Sequence, residues 1–182
     1  AQWTATPAGA CLRRPAGGGG AVEIPSVTFG RVRDYEIRDI NNMGAAMMPA
    51  AASTLLACFA ALHAAPQDFD AVITGDLGAV GSELLCIQMR KEGYALDNHL
   101  DCGCLLYDRD EQPVKAGGSG AGCSAAVLCA HILPQLAAGR WRRVLFVATG
   151  ALMSQATFLQ GQTIPGIAHA VELAAPAGEG KA

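Results

Sequence analysis

The sequence predicts a layered α/β fold, and three observations lead to it. Helical stretches alternate with short apolar strands, the clearest at residues 69–74 and 144–148. Those two strands carry no polar face, so each needs helices on both sides. Two glycine-rich turns, ITGDLGAVGSE from Ile73 and KAGGSGAGCSA from Lys115, each lead into a helical pattern. At 182 residues and 51% hydrophobic, the chain suits one domain, or one compact half of a larger one.

The elements follow in order. Gln2 to Arg14 is extended, interrupted by Pro7 and Gly9, and Val22 to Tyr35 alternates like a strand. Joined by the flexible PAGGGG at Pro15 to Gly20, the two read as a β-hairpin or as neighbouring strands. A helix is predicted from Pro49, a residue suited to a first turn, to about Ala64, with Leu55, Leu56, Phe59 and Leu62 at helical spacing. Phe69 to Thr74 is a buried strand. Ser82 to Glu92 is a second helix, with Gly93 as its C-terminal cap. The polar stretch from Tyr94 to Lys115 reads as loop. Ala121 to Ala138 is a third helix, closed by Gly139 and kinked at Pro134. Val144 to Ala148 and Ile167 to Leu173 are the last strands, and a soft tail begins at Ala174.

The net charge of −3 and the lack of a basic block argue against nucleic acid as a partner. Ala45 to Leu62, the most apolar stretch, contains Pro49, Ser53 and Thr54 and is not expected to cross a bilayer. The opening AQWTATPAG has neither a basic start nor an apolar h-region, so the expectation is a chain that begins inside a longer reading frame. Of seven cysteines, Cys58, Cys86 and Cys129 fall in apolar helical stretches, and Cys102 and Cys104 form CxC without a second pair to complete a metal site. A reducing cytoplasmic compartment is expected. Charged residues are only 16%, which implies a face hidden against a missing half or a second copy, hence a homo-oligomer.

Three places carry candidate chemistry. Gly117, Gly118, Ser119, Gly120 and Gly122 precede a helix start, where backbone N–H groups and the helix dipole suit a carboxylate or phosphate. Close packing of the helix start against the sheet explains the same glycines, and both explanations stand. Neither a Walker loop nor a dinucleotide fingerprint matches. Cys123, just inside that helix, would be activated by the dipole if a base such as His169 or His131 reached it, but packing is the favoured role. Asp76 stands at the carboxyl end of a central strand, the edge where α/β folds gather ligands; turn chemistry is the alternative. The acidic loop from Asp97 to Glu111 lacks the spacing of a calcium loop and reads as solvated.

Several stretches in order, AQWTATPAGA, NNMGAAMMPAA, DFDAVITGDLG, LDCGCLLYD, KAGGSGAGCSA, RRVLFVATGALMS and IPGIAHAVEL, are together similar to the C-terminal half of the stage V sporulation protein AD family, a thiolase-fold family. The resemblance implies a thiolase-like αβαβα fold. Residues 1–40 would be the last strands of the N-terminal half, and 41–182 the C-terminal half. In condensing relatives of that fold, a His would fall near Gly75 or Asp76 and an Asn near Gly118; neither is present here. The resemblance therefore implies a binding protein without catalysis or cofactor. Its ligand would be dipicolinic acid or its calcium chelate, taken up in sporulation and released in germination. Its partners would be membrane subunits of the stage V sporulation A assembly, at the cytoplasmic side of the spore inner membrane. On this basis Asp76, Gly117, Gly118, Ser119, Gly120, Cys123 and His169 are the expected ligand-binding residues, with no metal site. The competing functions are a thiolase-like acyltransferase and a ligand-free scaffold.

Overall fold

The computed structural model describes residues 2–15 and 19–176. Residues 16–18 of the expected connector and the last residues of the expected tail, 177–182, lie outside them. The centre is a five-stranded mixed sheet, built from β2 (Val27–Thr28), β3 (Ala71–Thr74), β4 (His99–Asp101), β6 (Arg143–Ala151) and β7 (Gly166–Ala174) in the order β2-β7-β6-β3-β4. β3 runs parallel to β4 and β6; β7 is antiparallel to β6 and to β2. A separate two-stranded parallel ladder joins β1 (Trp3–Thr4) to β5 (Gly118–Ser119). The expected β1–β2 hairpin is therefore not formed. Each N-terminal strand pairs far along the chain, because the free edges of β5 and β7 offer ladders that a short local pair cannot match. Both strands before residue 40 thus pair with strands beyond it.

Strand alternation divides the core. Val72, Leu145, Val147, Ala168 and Ala170 point to one face, under helices α1 (Met43–Leu62) and α2 (Gly78–Lys91). Ala71, Ile73, Val144 and Phe146 point to the other, under α4 (Cys123–Ala137), which follows the short α3 (Cys102–Leu105). Helix, sheet and helix make three layers, the predicted α/β architecture.

Four sequence expectations change. First, α1 begins at Met43, with the Asn42 carboxamide oxygen accepting from Ala45 N–H, so Pro49 lies inside the helix. Tertiary packing of Ala50, Ala51 and Leu55, all fully buried, outweighs the lost hydrogen bond. Second, the resulting 20-residue helix is long and apolar enough to cross a membrane by length and composition, although its buried face makes it a core helix here. Third, the supposed loop from Tyr94 contains β4 and α3. Fourth, a π turn at Leu128–Ile132 precedes Pro134, and Leu133 N–H reaches back to the Leu128 carbonyl. The backbones of α1 and α2 meet at glycines: a Cβ on Gly81 would stand 2.9 Å from Gly44 Cα.

Candidate functional site

The carboxyl ends of β3 and β6 share one edge of the sheet, since the two strands are parallel. Asp76 follows β3 there and is only 8% exposed. Three donors from other parts of the chain converge on its carboxylate. Ser119 Oγ–H donates to Oδ2 at 2.9 Å, Gly120 N–H donates to Oδ2 at 3.0 Å, and Thr149 Oγ1–H donates to Oδ1 at 3.1 Å. Thr149 Oγ1 also accepts from Asp76 N–H at 3.1 Å. Gly120 supplies its N–H from φ +107, a conformation that a side chain strongly disfavours.

Gln2 clamps the backbone of this arrangement. Its Nε2 donates to the Asp76 carbonyl at 2.9 Å and to the Gly118 carbonyl at 2.8 Å. Ladder bonds from Trp3 N–H to the Gly117 carbonyl and from Ala5 N–H to the Ser119 carbonyl continue the clamp. A recess of about 260 Å³ adjoins it, lined by Gln2, Asn41, Asn42, Gly44, Leu77 and Ala116 among others. Gly117 and Gly122 serve close packing. A Cβ on Gly117 would meet the Gly103 carbonyl oxygen at 2.4 Å, and one on Gly122 the Pro7 carbonyl oxygen at 1.9 Å.

A second buried carboxylate lies at the end of β4. Asp101 accepts from Thr74 Oγ1–H (2.6 Å), Leu77 N–H (2.9 Å), Gly78 N–H (2.9 Å) and Cys104 N–H (3.2 Å). It holds the first residues of α2 and α3 to the sheet. Burial raises its pKa, while these hydrogen bonds pull the other way. The Thr74 hydroxyl has one proton and gives it to Asp101. His99 Nε2, 2.9 Å from the same hydroxyl oxygen, is therefore the protonated ring nitrogen. Burial lowers the His99 pKa to about 4.

The structure brings Asp76, Gly118, Ser119 and Gly120 together and adds Thr149 and Gln2, which sequence reasoning missed. Cys123 lies beneath them, fully buried, with its thiol pushed up to about 12 by burial and by the charges of Asp76 and Asp101. Such a thiol stays protonated, which removes the basis for a dipole-activated nucleophile. His169 bonds to none of them: it is on β7 opposite Ala148, its Nδ1 accepts from Gly30 N–H at 3.1 Å, and its ring meets Phe29 edge-on. His131 packs edge-on against Trp141 at 5.6 Å. Among the described residues no group of three or more His, Cys, Asp or Glu side chains is placed to hold a metal ion.

Residues 1–174 match the family Stage V sporulation protein AD (SpoVAD). The chain belongs to this family. It is 46% identical over 153 residues to Stage V sporulation protein AD of Bacillus subtilis (strain 168), a stretch that makes up 84% of this chain and 45% of the relative. The chain thus spans less than half the length of that relative. Its fold is similar to that of AbyA1, a tetronic acid condensing enzyme, with TM-score 0.53 and 16% identity over 89% of this chain and 51% of the other. At that identity the likeness shows the fold alone, a thiolase-like one. A SpoVAD family member is a sporulation protein.

Proposed function

We propose that this SpoVAD family chain is a non-catalytic binding element for dipicolinic acid or its calcium chelate, within the assembly that moves dipicolinate into and out of the spore. Family membership supports the sporulation setting. One observation carries the ligand class: Ser119, Gly120 and Thr149 form a three-donor carboxylate receptor at the ligand edge of the sheet. The buried, protonated Cys123 thiol and the absence of a His or Asn at Gly75, Asp76 and Gly118 favour binding over condensation chemistry. Membrane association would run through partner subunits.

Calorimetric titration with dipicolinate, with and without calcium, tests this. Saturable binding by folded chain is the expected result; a folded chain that binds neither form overturns the proposal. A ligand-free scaffold is the second reading, favoured by the backbone packing at Gly117 and Gly122.

A further inference from the structure

The carboxylate receptor is already filled by the protein's own Asp76. Comparison with Asp101 shows what is unusual. Asp101 accepts mostly from backbone N–H groups at the starts of two helices, donors with no freedom to turn. Asp76 accepts from two hydroxyls, which rotate to serve any acceptor, and from one glycine N–H. It caps neither end of α2, whose first N–H groups belong to Asp101. Its backbone has an anchor apart from the carboxylate, the bond from Gln2 Nε2 to its carbonyl, and its N–H donates to the same Thr149 Oγ1 that serves the carboxylate. Turning the Asp76 side chain away would free all three donors while the Gln2 bond to its carbonyl stays in place.

We infer that Asp76 is an internal latch, a side chain occupying the place of a ligand carboxylate, and that an anionic ligand binds Ser119, Gly120 and Thr149 by displacing it. The inference rests on the proposed binding of a dicarboxylate and deepens it by naming the subsite and its built-in competitor. Two like charges cannot share three donors, so the latch weakens the binding of any carboxylate that uses them.

The test compares wild type with Asp76→Asn and Asp76→Ala. Removing the competing charge should tighten dipicolinate binding about tenfold or more, the worth of one charge-assisted hydrogen bond. Wild-type binding with no gain in either variant overturns the latch and leaves the proposed function standing. A second probe separates the two ideas. Acetate, at ionic strength matched with chloride, should raise the melting temperature of Asp76→Ala and not of wild type. If neither protein binds dipicolinate but acetate stabilises Asp76→Ala, the receptor stands and dipicolinate falls as its ligand. If acetate has no effect on Asp76→Ala, the receptor itself is refuted. Should Asp76→Ala be unfolded in chloride, acetate should restore its circular dichroism, and failure to do so counts against the latch.

Discussion

Single residues at the strand ends do opposite things with the same chemistry. His99 is buried and neutral, its pKa held at about 4 against an ordinary 6.5. Because the folded value is the lower one, the unfolded chain binds more protons between pH 6.5 and 4. Stability from neutral His99 is full above pH 6.5 and is lost as pH falls to 4, by no more than about 3 kcal/mol. Asp101 works in the reverse sense: with its folded pKa raised, its contribution grows as pH falls through that value. Urea midpoints measured from pH 7 to 4 should drop steeply in wild type and less in His99→Gln. Identical profiles would refute the role of His99. The place of Asp76 at the end of a central strand was legible in the sequence because it follows an apolar run. Gln2 and Thr149 were not, because nothing local distinguishes a polar residue whose partner lies more than seventy positions away. His169 misled for the same reason. An alternating strand tells which residues share a face, not that the ring nitrogen meets Gly30.

At the scale of elements, the buried strands and the second and third helices were readable, since apolar runs and glycine caps are local signals. β4 was hidden: three residues at a sheet edge, His99–Asp101, give no periodicity to read. α1 was read too short, because Pro49 resembles a first-turn proline and only its tertiary cover shows otherwise. The α1–α2 contact makes a sharp prediction. Gly81→Ala places a methyl group 2.9 Å from Gly44 Cα, and two helix backbones must separate to admit it. The expected loss is about 2 kcal/mol in chemical denaturation, with Val80→Ala, at a half-exposed neighbouring position, as a mild control. A Gly81→Ala protein as stable as wild type would mean that the helices do not meet this closely. The other element under tension of charge is β7, where buried Glu172 accepts from Arg143 Nε and Ser26 Oγ, tying the first residues of β6 and the chain before β2 to one side chain.

For the molecule as a whole, the described surface retains large apolar side chains. Phe29 is 82% exposed, Leu152 71% and Leu159 74%. Residues 144–171 contain no Asp, Glu, Lys or Arg to keep neighbours apart. In isolation the chain should therefore self-associate, and Phe29→Ser with Leu159→Ser should shift sedimentation toward monomer without loss of helix signal. A wild-type chain that sediments as a monomer at all concentrations would contradict this. The clamp at the Asp76 edge has a different consequence, one of timing. Gln2 and Gly118 are 116 positions apart, and contacts so distant form late because a long stretch of chain must close first. The five-stranded sheet can assemble without them. During synthesis, the residues around Trp3 are made long before the glycine turn that they pair with, and the Asp76 edge is completed only once that turn exists.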